Sequence, residues 1–154
     1  MSRYSIAKIL SAGVLALCAL PALADGIEFF HGGFDDAVAK ARKQKKMVFV
    51  DVYTDWCAPC KRMAKTVFVQ EDVGKTFNQH FISYQLNAED TAQRGPELAG
   101  RFEVKSYPTY LFLDGAGRLI AKKGGAMSPE AFKTVAMTVT GLASDKSACA
   151  AIAA

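Results

Sequence analysis

The sequence predicts an α/β fold in which a central mixed β-sheet carries helices on both faces, and three observations point there. Met47-Val-Phe-Val-Asp-Val-Tyr53 is an apolar, β-branched run suited to a fully buried strand, interrupted only by Asp51. Residues 109–113 and 118–121 are apolar segments joined by Asp114-Gly-Ala-Gly117, a strong hairpin signal. Around these strands apolar residues recur at helical spacing. The resulting order, αβαα-βα-ββα, combines parallel crossovers with an antiparallel hairpin.

Phe34, Val38 and Ala41 make residues 34–45 an amphipathic helix. Lys40, Arg42, Lys43, Lys45 and Lys46 surround its end, where cations suit the negative pole of the helix dipole. This cluster reads as a solvated terminus rather than a binding patch. The strand over 47–53 follows, and then a helix carrying Cys60, Met63, Ala64 and Val67, with Pro59 in its first turn. Residues 70–79 form a short helix with Val73 and Phe77 inward, and 81–86 a second strand. A helix over 97–102 follows the Gly95-Pro96 break, and the hairpin comes next. Ser128 is the N-cap of the last helix, Pro129 its first turn, and Phe132, Val135, Ala136 and Val139 its buried stripe. No internal repeat, low-complexity block or linker divides the chain.

The beginning of the chain has the pattern of an export signal. Arg3 and Lys8 are basic, residues 9–20 are almost wholly apolar, and Ala22-Leu23-Ala24 is a small-x-small cleavage site. The expected organisation is therefore a leader over 1–24, one domain over 25–143, and a loosely held, small-residue tail over 144–154. The apolar run is short for a membrane span, so the processed chain is expected not to be membrane-embedded. Cys18 is taken as part of the leader. That leader holds two of the 19 basic residues and none of the 15 acidic ones, leaving 17 against 15, a net charge of +2. So mild a charge argues against nucleic acid as a partner.

The chemistry centres on Trp56-Cys57-Ala58-Pro59-Cys60-Lys61. Two thiols three positions apart at a helix start form a reversible redox pair. Cys57 would lie at the positive dipole end, which favours its thiolate, and Cys60 one turn further in. Alone, the motif also admits metal, haem or purely structural roles. Zinc wants four ligands, yet past the leader only Cys57, Cys60, Cys149, His31 and His80 are at hand, without a second CxxC. Haem attachment would need histidine where Lys61 stands. A static structural disulfide stays open beside the redox reading.

Four separated features make the chain resemble the thioredoxin family over about residues 34–140. They are Asp51 six residues before Cys57, the Trp56-Cys-Ala-Pro-Cys60 motif, Tyr107-Pro108-Thr109 opening a strand, and Gly125 after the hairpin. The leader, Lys65-Thr66-Val67-Phe68 and Glu71-Asp72-Val73 look more like the periplasmic thioredoxin-like domains of membrane thiol:disulfide interchange proteins. The resemblance implies a thioredoxin fold and a catalytic set of Cys57, Cys60 and Asp51. Cys57 would be the attacking thiolate, Cys60 the resolving thiol, and Asp51 the buried carboxylate that takes the Cys60 proton. Burial is expected to raise the Asp51 pKa toward the useful range. Trp56, Ala58, Pro59, Tyr107, Pro108 and Gly125 would form the substrate surface, with Pro108 cis and Trp56 an apolar rim.

Three departures from the family stand out: Ala58 where glycine is frequent, Lys65 in place of a helix-kinking proline, and Gln85 where many thioredoxins carry lysine near the carboxylate. No histidine lies between the cysteines, which argues for a moderately reducing couple. The expected activity is thus reduction of disulfides in exported proteins, in the periplasm. It needs no cofactor or metal, and a membrane thiol-electron conduit is implied as donor. The chain is expected to act as a monomer. The competing readings are a disulfide oxidase or isomerase, and a non-catalytic binding module. Cys149 is read as a tail residue.

Overall fold

The computed structural model describes residues 26–144. The expected leader, Cys18, Cys149 and all of the expected tail except Ser144 lie outside these residues. The elements are α1 (Phe34–Gln44), β1 (Met47–Tyr53), α2 (Ala58–Thr66), α3 (Glu71–His80), β2 (Phe81–Asn87), α4 (Gly95–Arg101), β3 (Thr109–Leu113), β4 (Leu119–Gly124) and α5 (Pro129–Ser144). Their order is the one the periodicity predicts. The strands lie as β2-β1-β3-β4, with β1 parallel to β2 and the other two pairs antiparallel.

Alternation along the strands divides the core into two layers. On one face Val48, Val50, Val52, Tyr84, Leu111 and Leu113 pack with Phe34, Ala37 and Ala41 of α1 and Leu98 and Ala99 of α4. On the other, Phe49, Phe81, Tyr110 and Phe112 meet Met63 of α2, Val73 and Phe77 of α3, and Phe132 and Val139 of α5. Phe77 and Phe132 stack at 4.6 Å, which locks α3 to α5. A fully buried ring of this size contributes about 2–3 kcal/mol through removal from water.

Several boundaries differ from expectation by one to three residues. Lys45 adopts a left-handed backbone, φ 55°, and ends α1 at Gln44. Helix α4 starts at Gly95 rather than 97, because Pro96 is tolerated inside a first turn. Strand β4 spans 119–124 instead of 118–121. It is an edge strand, so Lys122 and Lys123 continue its pairing with Leu111 and Tyr110 without needing apolar side chains.

Residues 26–30 form a strap that the sequence pattern does not announce. Phe29 makes a parallel bridge with Ser83 on the outer edge of β2, and the Phe30 N–H donates to the Ser83 carbonyl at 2.7 Å. Asn78 of α3 clamps the strap from the side. Its amide donates to the Gly26 carbonyl at 3.0 Å, and its Oδ1 accepts the Glu28 N–H at 2.9 Å. Gly74 permits this approach, since a Cβ there would fall 2.1 Å from the Gly26 carbonyl oxygen.

Candidate redox site

One end of the sheet collects the chemistry. Antiparallel pairing sets Thr109 opposite Val52, so the start of β3 lies beside the loop that leaves β1. Parallel pairing sets Asn87 opposite Tyr53, and the Ala88 N–H donates to the Tyr53 carbonyl at 2.8 Å. Gly124 pairs with Thr109 and brings Gly125 to the same end. Topology alone therefore gathers residues 53–57, 87–89, 107–109 and 124–125.

Cys57 is the N-cap of α2, in extended conformation, with Ala58 and Pro59 opening the helix. The Thr54 carbonyl accepts the Cys57 N–H at 3.1 Å, and the Cys57 sulfur accepts the Cys60 N–H at 3.2 Å. A sulfur held at a helix N-terminus by a backbone donor is stabilised as thiolate when the pair is reduced. Cys57 and Cys60 form a disulfide, with Cα atoms 5.3 Å apart. Both residues are buried.

Asp51 occupies the middle of β1, on the face that carries α2. Its register partners are Gln85 of β2 and Tyr110 of β3. The Gln85 amide donates to Asp51 Oδ2 at 3.3 Å, whereas Oδ1 has no partner among the described residues. Burial pushes the Asp51 pKa up to about 7, and the Gln85 hydrogen bond opposes this only in part. Asp51 and Cys60 line one cavity of about 190 Å³, together with Thr54, Lys61 and Gln85.

Trp56 is 67% exposed, which places it on the surface rather than in the core. Its indole N–H donates to Glu89 Oε1 at 3.0 Å, and its ring meets Tyr107 edge-on at 5.9 Å. The Tyr107–Pro108 peptide is cis. The Pro108 carbonyl accepts the Gly125 N–H at 2.9 Å. Gly125 has φ +90°, a backbone only glycine adopts freely, with open space where a side chain would project.

Sequence reasoning passed over Thr54, Glu89 and Tyr110. Tyr110 could have been found from strand register, because it directly opposes Asp51. Glu89 carries no local signal, since only the parallel pairing of β1 and β2 brings it to Trp56.

A family model of the thioredoxin-like domain matches residues 34–140. Among curated proteins, the thiol:disulfide interchange protein DsbD of Colwellia psychrerythraea is 34% identical over 90 residues, 58% of this chain and 15% of its own length. The protein of the same name from Pseudoalteromonas atlantica is 30% identical over 108 residues, 69% of this chain and 18% of its own. The chain thus spans less than a fifth of these relatives. A solution structure from Bacteroides thetaiotaomicron, described as that of a candidate disulphide-isomerase, is 38% identical with a TM-score of 0.66, covering 75% of this chain and 95% of that one. The oxidised C-terminal domain of DsbD from Neisseria meningitidis has a TM-score of 0.56 and 21% identity, over 68% of this chain and 90% of that one. At that identity the likeness speaks for the fold alone.

Proposed function

The chain belongs to the thioredoxin-like domain family and is a thiol:disulfide oxidoreductase, and on that premise we propose that it reduces disulfides of exported proteins in the periplasm. The observation that carries this reading is the Cys57–Cys60 disulfide at the start of α2, with Cys60 facing the cavity it shares with Asp51. In the reduced protein the Cys57 thiolate attacks a substrate sulfur and expels the other half as thiolate. Cys60 gives its proton to Asp51 and attacks Cys57, closing the disulfide and releasing the second substrate thiolate. Two electrons pass from the pair to the substrate, and the released thiolates take protons from solvent.

Regeneration requires a dithiol donor, and we take a membrane thiol-electron conduit to fill that role, a reading supported by the match to thiol:disulfide interchange proteins. Trp56, Tyr107, Pro108 and Gly125, with Ala58 and Pro59 at the helix start, make up the substrate face in this reading. We take residues 25–143 as the working domain and 1–24 as an export leader. Among the described residues no helix is long and apolar enough to cross a membrane.

A second reading, disulfide isomerisation, is favoured by the 38% identity to the Bacteroides protein, itself described as a candidate disulphide-isomerase. Thiol labelling in cells separates reduction from oxidation, and reactivation of a scrambled disulfide protein with no net change in its thiol count marks isomerisation instead. A Cys57–Cys60 pair held largely reduced, with exported disulfide proteins captured by a Cys60→Ala variant, supports reduction. A largely oxidised pair supports an oxidase, and a disulfide that resists reductant leaves only a structural role.

A further inference from the structure

We infer that Thr54 is a positioning residue for proton transfer at Cys60, holding water in the cavity that Cys60 shares with Asp51. The inference rests on thiol–disulfide exchange at Cys57 and Cys60 and deepens that reading. Thr54 is 1% exposed, and its Oγ1 has no partner among the described residues. Asp51 Oδ1 is equally buried and equally unpartnered, and both residues line the same cavity.

Leaving a buried hydroxyl and a buried carboxylate oxygen both unpaired is costly, so such atoms are ordinarily met by water. The cavity, about 190 Å³, is roomy for that purpose, since water's share of liquid volume is about 30 Å³. Its walls are mixed, with the polar side chains of Asp51, Thr54 and Gln85 beside Cys60 and Ala64, and the exposed residues Asp55 and Lys61 connect it to solvent. A threonine hydroxyl both donates and accepts, so it can anchor a water that takes a proton on one side and passes it on from the other. Carboxylate oxygens only accept when ionised.

The Cys60 S–H proton passes through the anchored water to Asp51 Oδ1. The Cys60 sulfur then forms its bond to Cys57, the Cys57–substrate bond breaks, and the electron pair leaves on the substrate sulfur. That thiolate takes a proton from solvent, and Asp51 returns its own to solvent. Asp51 is faced by Gln85 from β2, Tyr110 from β3, Cys60 and Lys61 from α2, and Tyr53 and Asp55 along its own chain. Thr54 brings to the cavity's walls a neutral hydroxyl that is fully buried and without a partner among the described residues, and so free to bind water.

The test mixes reduced protein with a disulfide-linked peptide dimer, quenches in acid and follows the protein–peptide adduct by mass. Adduct growth reports attack by Cys57, and its decay reports resolution by Cys60. Thr54→Val is expected to slow decay about tenfold at pH 7, below the ~10²–10⁴ of a general base itself. The deficit narrows as pH rises, because hydroxide takes the Cys60 proton without the relay. Adduct growth stays at the wild-type rate, and Thr54→Ser restores decay to within about twofold of wild type. If Thr54→Val fails to fold, Thr54→Ala carries the same expectation. Wild-type decay in the variant, or slowing that is equal at all pH or equal for both steps, overturns the inference. Failure of the wild-type protein to form the adduct would instead overturn the parent reading.

Discussion

Asp51 is the group whose surroundings decide most. Its folded pKa, about 7, lies above the ordinary aspartate value, so the folded chain holds a proton that the unfolded chain has released. Its contribution to stability is therefore fully present below about pH 4 and is lost as pH rises through 7. A rise of roughly three units corresponds to about 4 kcal/mol. Asp51→Asn removes this titration, so the variant should gain up to about 4 kcal/mol over wild type between about pH 4 and pH 8, measured by denaturant unfolding of the oxidised proteins. The same variant is expected to slow resolution of a mixed disulfide more than its formation. Equal slowing of both steps in rapid-mixing assays would remove Asp51 from the role of base. Gln85 gives a neutral donor where a cation would hold the carboxylate ionised. Gln85→Lys should therefore lower the Asp51 pKa by about 1–3 units, and the acid limb of the resolution rate should move to lower pH by the same amount.

Strands and helices were legible wherever periodicity carried them. The run 47–53 could be read as buried because both faces need apolar residues, and Asp51 stood out as the one residue that contradicted it. The substrate end was legible in part: motif spacing marked Cys57, Cys60 and Pro108, while Glu89 and Thr54 depend on pairing and cavity shape. The strap over 26–30 was illegible for a different reason. A single bridge is too short to show alternation, and the Gly74–Gly26 contact joins segments far apart in the chain. That contact reverses an ordinary expectation. Gly→Ala inside a helix normally stabilises by about 0.5–1 kcal/mol, but here the new methyl meets backbone at 2.1 Å. Gly74→Ala should instead destabilise by about 1–3 kcal/mol. Hydrogen exchange at Ile27 and Phe30, whose N–H groups bond to Phe68 and Ser83, should accelerate before that of β1 does.

Taken whole, the molecule is two apolar layers about a four-stranded sheet, with its reactive end where three connections and a helix start converge. Both strand edges are managed: the strap covers β2, and Lys122 and Lys123 charge β4. The two layers leave the chain's one tryptophan outside. Trp56 stands next to Cys57, in water on one side and against Tyr107 on the other. Under tryptophan-selective excitation, emission from this protein therefore comes from one spot, adjacent to the sulfur pair. Because a nearby disulfide quenches an excited indole, the fluorescence should brighten when Cys57 and Cys60 are reduced and dim when they close. A titration against dithiothreitol would check this in an ordinary fluorimeter, and unchanged emission would contradict the placement of Trp56. The protein thus carries its own optical gauge of electron occupancy, with no dye attached.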